Sequence, residues 1–191
     1  MKCIANGRMA PRPPCIFARL SKELATKWGN CVARLGDLID WPPLWLALSL
    51  GAVRGVDQMS QWFLWSLFGP DGRIVGGVLV AMGLALMFAA AVQMLALRTT
   101  VIPRSTPAVL VTSGLFRVTR NPIYLGDALV LAGAILWWDV ALGLPVLLGF
   151  MALIQHRFIL PEEAVLQARF GAAFDAWRAR VPRWIGPGGR S

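Results

Sequence analysis

The stretch RVTRNPIYLG, residues 117–126, sets two arginines, an asparagine and a proline directly before a long apolar segment. Asn121 followed by Pro122 is a favourable helix start, because Asn suits the N-cap and Pro suits the first helical position. The segment that follows, residues 123–138, is apolar and is interrupted by Asp127. The stretch therefore predicts a polar cluster at the mouth of a membrane helix.

The chain as a whole is apolar and basic. Of its 191 residues, 57% are hydrophobic and 15% are charged, and the mean hydropathy is +0.59. Soluble domains carry about a quarter charged residues. In a soluble protein the net charge of +9 would suggest nucleic-acid binding, but in so apolar a chain it favours a membrane protein with one basic side. We therefore expect membrane lipids as partners and no nucleic acid.

Four apolar segments predict an all-α, polytopic bundle of about four transmembrane helices. The clearest is residues 74–97, which include one polar side chain, Gln93, and exceed the roughly 20 residues that cross a bilayer. Its small residues recur every four positions and predict close helix packing; they are Gly77, Ala81, Ala85 and Ala89. The other segments are residues 41 to about 61, in which Arg54 and Asp57 would share one face, and the two arms of a tight hairpin, 123–138 and 140–160.

The distribution of positive charge predicts the orientation of these spans. All but two of the 19 Lys and Arg residues lie in residues 1–40, 98–120 and 157–191. The exceptions, Arg54 and Arg73, fall in the connection on the opposite side. Because Lys and Arg concentrate in cytoplasmic segments, the pattern predicts a multi-pass protein with both termini in the cytoplasm.

The flanking regions complete the predicted organisation. Residues 1–15 are expected to form a mobile tail, and residues 16–40 a basic amphipathic helix on the membrane surface. Residues 41–191 would form the membrane domain, which ends in a second interfacial amphipathic helix after Pro161. Three cysteines in the N-terminal region match neither a zinc nor a redox spacing, and His156 is the only histidine, so no metal site is predicted.

Two polar clusters flank the predicted hairpin, residues 112–127 and residues 156–183. Because a hairpin returns the chain to its start, these clusters are predicted neighbours in space. Helix capping and interface anchoring would also explain most of these residues, including Pro161-Glu162-Glu163. Asp127 is harder to explain in this way, because an intramembrane carboxylate usually faces a polar cavity or a partner, here Arg117 or Arg120.

The two clusters carry a family resemblance. GLFRVTRNPIYLG, then an apolar hairpin, then HRFILPEEAVLQARFGAAFDAWRARVPRW resembles the isoprenylcysteine carboxyl methyltransferase and phospholipid methyltransferase superfamily, over residues 99–184. The resemblance implies a membrane enzyme whose catalytic half is this segment and whose S-adenosylmethionine pocket lies at the cytoplasmic end of the bundle. With the side-chain chemistry it implies a cofactor site formed by Arg120, Asn121, Pro122, Tyr124, Gly126, His156, Glu162, Glu163 and Phe170.

The residue types suit this chemistry. Glu162 and Glu163 would accept hydrogen bonds from the cofactor's ammonium group, and Arg117, Arg120 or Arg183 would bind its carboxylate or an anionic acceptor. The predicted catalytic residues are Glu163, Asp127 and Arg183. A carboxylate acceptor needs no base, whereas an amine acceptor must lose a proton, which Glu163 or Asp127 would take.

The acceptor stays open at this point. It is expected to be a lipid, a prenylcysteine carboxylate or another hydrophobic molecule; prenylcysteine-type members often carry His where this chain has Asn121, and phospholipid-type members can carry Asn. Two further hypotheses compete with a methyltransferase. One is a nicotinamide-dependent reductase of the related sterol-reductase architecture, for which the chain is short, and the other is a non-enzymatic membrane scaffold.

Overall fold

The computed structural model describes residues 41–60, 68–97, 99 and 109–186, which are helical and contain no strand. The predicted all-α fold is confirmed over these residues. The predicted tail and amphipathic helix, residues 1–40, lie outside them. The helices are α1 Pro42–Ser60, α2 Gly69–Ala96, α3 Pro122–Trp137, α4 Leu144–Ile154, α5 Leu160–Phe170 and α6 Ala172–Arg178, with 3₁₀ turns at Gly114–Arg117 and Ala141–Gly143 and a π-helical turn at Gln155–Ile159.

Two helices are long and apolar enough to cross a membrane. They are α2 and the continuous helix Ala141–Phe170, which joins α4 to α5 through the π-helical turn. Only 17% of the most apolar window of α2 is buried, as expected of a helix that faces lipid rather than the core of a soluble protein. The apolar α3 has 16 residues and extends about 24 Å, which is shorter than a bilayer core of roughly 30 Å. The described residues therefore form an all-helical fold with two candidate membrane spans.

The most extensive helix contact joins α2 and α3 through glycines. A Cβ atom on Gly76 would lie 2.5 Å from the carbonyl oxygen of Gly133, and one on Gly83 would lie 2.6 Å from that of Gly126. Backbones that approach so closely leave no room for a side chain. Small residues serve this purpose between helices in lipid, where dispersion contacts replace the hydrophobic effect as the source of stability.

The packing face of α2 differs from the predicted stripe. Gly77 of that stripe packs against α3, where a Cβ atom would lie 2.8 Å from the Trp137 ring, but Ala81, Ala85 and Ala89 are exposed. The buried residues Gly76, Gly83 and Ala90 are spaced seven apart instead. Residues seven apart return to nearly the same side after two helical turns, but a spacing of four drifts by about 40° at each step. Residues spaced four apart therefore move progressively off the side of α2 that contacts α3, whereas residues spaced seven apart stay on it.

The predicted hairpin of α3 and α4 is present, and its turn is fixed by Asp139. The Asp139 backbone has a φ of 56°, and its carboxylate accepts hydrogen bonds from the backbone N–H groups of Phe68 at 2.8 Å and Gly69 at 3.3 Å. A carboxylate at this place caps the start of α2 and suits its positive dipole end. Arg54 and Asp57, which were predicted to share one face of their helix, form an ion pair near this end, and the Arg54 guanidinium lies 5.8 Å from the Trp138 ring centroid.

Two apolar clusters hold α3 and the segment before it in place. The first joins α1, α3 and α4 and extends into the π-helical turn; it includes Val53, Leu131, Phe150 and Phe158. The second joins the segment before α3 to α6 through Phe116, Phe174 and Trp177, and the Trp177 indole N–H donates to the Phe116 carbonyl at 3.1 Å. Together they set the start of α3 beside the start of α5.

Candidate functional site

The starts of α3 and α5 bring the two predicted polar clusters together. The Tyr124 hydroxyl donates to Glu162 Oε1 at 2.7 Å, and Arg120 Nη1 lies 3.0 Å from Glu163 Oε1. The predicted proximity of these residues is confirmed, because the hairpin returns the chain to the end of the bundle where α3 begins. Glu162 and Glu163 also lie in the first turn of α5, as predicted.

Glu163 is shared by two arginines. Arg183 donates from Nε to Oε1 at 3.1 Å and from Nη2 to Oε2 at 2.8 Å, so it binds the carboxylate with both arms of its guanidinium. The side chain of Arg120 is 3% exposed, and this burial lowers the pKa of its guanidinium, although Glu163 opposes the change. The hydrogen bonds that Arg183 donates to Glu163 raise the pKa of Arg183. Both groups stay cationic at neutral pH.

Residues 181–184 cross the site as a strap and hold its parts in register. The Pro182 carbonyl accepts from the Arg120 backbone N–H at 2.9 Å. The Arg183 carbonyl accepts from the Thr119 hydroxyl at 3.0 Å and from the Asn121 side-chain amide at 3.1 Å. The Trp184 indole donates to Gln155 Oε1 at 3.0 Å. The strap thus ties the start of α3 to the π-helical turn.

Asn121 stands at the N-cap position of α3 as predicted, but its side chain does not cap the helix. Its side chain makes no cap hydrogen bond and binds the Arg183 carbonyl instead. Sequence reasoning missed this contact and the other carbonyl contacts of the strap. A backbone carbonyl leaves no signature in residue type, so only the fold could place it.

A cavity of about 520 Å³ opens beside the charged cluster. This volume lies within the range of roughly 300–1,000 Å³ found for small-molecule pockets. Its polar wall is formed by Arg120, Asn121, Tyr124, Asp127, Glu162 and Glu163, with Pro122 beside them. The rest is mostly apolar and includes Trp41, Pro42, Met87, Met94, Val165 and Leu166. Sequence reasoning missed this apolar lining, because Met and Val inside apolar helices look the same whether they face lipid, a core or a cavity.

Asp127 lies on α3 one turn beyond Tyr124 and lines the cavity. It is 2% exposed, and its Oδ1 has no hydrogen-bond partner within the part of the chain that the structure describes. The prediction that Arg117 or Arg120 pairs with it was wrong. Arg120 pairs with Glu163, and Arg117 is exposed on the turn before α3.

Three residues expected in the cofactor site lie outside the cavity lining. Gly126 packs against α2, where a Cβ atom would meet the Met87 side chain and lie 2.7 Å from the Gly83 carbonyl oxygen. His156 is exposed on the π-helical turn, and Phe170 packs against the cluster around Phe174. Arg183 also stands outside the lining and reaches the cavity through Glu163. Over residues 41–60, 68–97 and 109–186, no group of three His, Cys, Asp or Glu is placed to hold a metal ion.

Comparison with known proteins identifies the family. A family model described as phospholipid methyltransferase matches residues 72–173. No significant match was found among curated proteins or among solved structures. The matched segment is more than half of the chain and contains all but the first three residues of α2, the polar start of α3, Asp127 and the acidic pair of α5. The chain therefore belongs to the phospholipid methyltransferase family of membrane-associated methyltransferases, within the superfamily that its motifs resemble.

Proposed function

We propose that the protein is an integral membrane methyltransferase that uses S-adenosylmethionine and methylates a lipid or another hydrophobic acceptor. The observation that carries this proposal is the charged cluster of Arg120, Glu162 and Glu163 at one end of a mostly apolar cavity. Such a cavity offers contacts to a charged, water-soluble ligand at one end and to an acyl or prenyl chain at the other. Family membership supplies the reaction class.

The described residues fit this cofactor, which supplies a methyl group on a sulfonium and carries an amino-acid group. Arg120 Nε is buried and has no hydrogen-bond partner among the described residues, so the guanidinium keeps a donor for the amino-acid carboxylate. Glu162, held by Tyr124, accepts from the ammonium group. The first turn of α3, after Asn121 and Pro122, lines the cavity with the positive end of the helix dipole.

Glu163 and Arg183 take positioning roles in this proposal. Glu163 already binds two guanidinium groups, so accepting a proton would cost it charge-assisted hydrogen bonds. We infer that Glu163 holds Arg120 at the cavity wall and that Arg183 fixes Glu163. Arg183 also anchors the strap through its carbonyl, so it acts through other residues rather than on the acceptor.

The proposed topology has four spans, with both termini and the cavity end in the cytoplasm. The Lys and Arg distribution supports it, and so does the position of Arg54 beside Asp57 and Trp138 at the far end of the bundle. Single cysteines introduced as Ser113→Cys and Leu142→Cys into a cysteine-free chain test it. In intact cells a membrane-impermeant thiol reagent is expected to label the second and not the first. The reverse result would contradict the orientation.

Binding of radiolabelled S-adenosylmethionine to the full-length protein in detergent tests the proposed function. We expect the wild type to bind and Glu163→Gln to bind about tenfold or more weakly, because the loss of a charged hydrogen-bond acceptor frees both arginines. Asp175→Asn is the matched acid-to-amide control. It should bind within twofold of wild type, because its ion pair with Arg178 is on the surface, with side chains 46% and 51% exposed.

Competition with a reduced nicotinamide cofactor separates the alternatives. A wild-type protein that binds the nicotinamide cofactor and not S-adenosylmethionine would support the reductase hypothesis. A folded protein that binds neither would support the scaffold hypothesis. Equal affinity of the wild-type and Glu163→Gln proteins for S-adenosylmethionine would contradict the proposed place of Glu163.

A further inference from the structure

Asp127 is a buried carboxylate that the charged cluster does not use. Arg120 and Arg183 both bind Glu163, and the Tyr124 hydroxyl binds Glu162. Asp127 Oδ1 has no such partner among the described residues, although the side chain lines the cavity. Neither capping nor packing explains it. It is the sixth residue of α3, beyond the first turn, and an apolar residue would fill the same place without losing hydration.

A polar group in this state marks a place where a ligand supplies the missing partner. Burying a polar group without a hydrogen bond costs roughly 1–3 kcal/mol by protein mutational data. Acidic residues within membrane helices are costly and are usually tied to function for the same reason. The cavity gives this carboxylate access to a ligand, although the residue is only 2% exposed.

The position of Asp127 separates it from the end proposed to hold the cofactor. It lies three residues after Tyr124, which is about 4.5 Å further along the axis of α3. Its level in the cavity is therefore deeper in the bundle than Arg120 and Glu162, which stand at the start of α3 and α5. A methyl donor bound at the charged end and an acceptor that extends along the apolar wall would meet near this level.

We propose that Asp127 determines the chemical class of the methyl acceptor, binding the nitrogen of an amine and excluding a carboxylate. This inference rests on the proposed function. A second carboxylate beside Asp127 would bring two negative charges together in a medium of low dielectric constant, which is strongly unfavourable. An ammonium group would instead form a charge-assisted hydrogen bond with Oδ1. The geometry thus favours an amine over the prenylcysteine carboxylate that the resemblance left open.

The chemical step balances with an amine acceptor. Asp127 takes one proton from the ammonium group, which leaves a neutral amine with a free electron pair. That pair forms the new nitrogen–carbon bond to the methyl group as the carbon–sulfur bond of the sulfonium breaks. The electrons of the broken bond stay on sulfur, which becomes a neutral thioether. The positive charge passes to the methylated nitrogen, and Asp127 then releases its proton to water.

Binding of two probes with the same tail tests the inference without turnover. The full-length protein in detergent is titrated with dodecylamine and with dodecanoate. We expect the wild type to bind the amine at least about tenfold more tightly than the carboxylate, a difference that one charge-assisted hydrogen bond can supply. Asp127→Asn should lose this preference and keep its affinity for S-adenosylmethionine. Asp175→Asn, an acid-to-amide change outside the cavity, should keep both.

Turnover supplies the second readout. Methylation of dodecylamine in phospholipid vesicles should fall by about 100-fold in kcat/KM in Asp127→Asn, the effect typical of losing a positioned base. If Asp127→Asn does not fold, Asp127→Ala replaces it, because alanine suits a helix and removes the charge. A wild type that binds dodecanoate as tightly as dodecylamine, or a preference retained in the folded variant, would overturn the inference and leave the cofactor proposal standing. A wild type that does not bind S-adenosylmethionine would overturn the proposed function itself.

Discussion

Gly126 and Asp127 are neighbours in the chain, but their surroundings on α3 are opposite. Gly126 is pressed against α2, where even a Cβ atom would lie 2.7 Å from the Gly83 carbonyl oxygen. Asp127 lines a cavity of about 520 Å³, and one of its oxygens lacks a hydrogen-bond partner among the described residues. Gly126 occupies its position because no larger residue fits there. Asp127 occupies its position although an apolar residue there would make the protein more stable.

The difference separates two kinds of constraint on the same helix. The face of α3 toward α2 is limited by space, so a substitution there is expected to change stability first and activity as a consequence. The face toward the cavity is limited by chemistry, so replacing a group there that lacks a protein partner is expected to change activity and to leave stability unchanged or improved. Gly126 and Asp127 can therefore be told apart by the sign of the effect that their substitution has on the free energy of unfolding.

The largest expected effect is from Gly126→Val. The added side chain has to separate α2 from α3, because its first carbon already overlaps the Met87 side chain and the backbone at Gly83. We expect a loss of about 3 kcal/mol in the free energy of unfolding, at the upper end for overpacking of a core. Unfolding in mixed micelles with increasing denaturing detergent measures it.

Gly149→Ala is the matched control for this change. A Cβ atom at Gly149 of α4 would meet no other atom within 4 Å, so the substitution adds helix propensity without a clash. It should stabilise the protein by roughly 0.8 kcal/mol. Similar losses for Gly126→Val and Gly149→Ala would show that the close approach of α2 and α3 is not what limits position 126.

Asp127→Ala is expected to act in the opposite direction. Removing a buried oxygen that lacks a partner should raise the free energy of unfolding by about 1–2 kcal/mol when no ligand is present, while methyl transfer falls. The same denaturing-detergent titration measures stability, and labelled methyl transfer measures activity. A variant that loses stability would show that Asp127 has a structural partner and would remove the contrast between the two faces of α3.

Tyr124→Phe is expected to have an intermediate effect on the cavity face. The substitution removes the 2.7 Å hydrogen bond to Glu162 and keeps the ring, so we expect a loss of about 1 kcal/mol in stability. The affinity for S-adenosylmethionine should fall about fivefold if Glu162 needs this bond to point at the cofactor. A double-mutant cycle with Glu162→Gln isolates the pair, and additive effects would contradict the coupling.

The sequence was sufficient to predict the hairpin and the meeting of its two polar ends. Apolar periodicity and the lengths of the segments placed α3 beside α4, and that alone brings Arg120 close to Glu163. Motif positions then singled out Tyr124 and Glu162, which the structure joins by a hydrogen bond. These features depend on chain order and helix geometry, which a sequence states directly.

Features that depend on how helices rotate against one another could not be predicted. The resemblance placed Gly126 in the cofactor site, but the rotation of α3 turns it toward α2. Asp127 was expected to pair with an arginine, but Glu163 already binds both Arg120 and Arg183. The strap contacts are made by backbone carbonyl groups, which every residue has. Because the residue pattern did not give the rotation of α3 about its axis, a packing residue, Gly126, was assigned to the cofactor site.

The smallest expected effect tests the exposed side of α2. Ala85 is exposed, whereas Ala90 on the same helix is fully buried. If the exposed side faces lipid, Ala85→Leu should change the free energy of unfolding by less than about 0.5 kcal/mol, because leucine is at least as soluble in lipid as alanine. The mass of the protein in detergent should not change.

Ala90→Leu is the buried counterpart and should lower the free energy of unfolding by about 1–3 kcal/mol through overpacking. A loss at Ala85 as large as that at Ala90, with a change in mass, would show that the small residues at 81, 85 and 89 form a contact between two copies of the chain, and the space constraint seen at Gly126 would then act on both sides of α2.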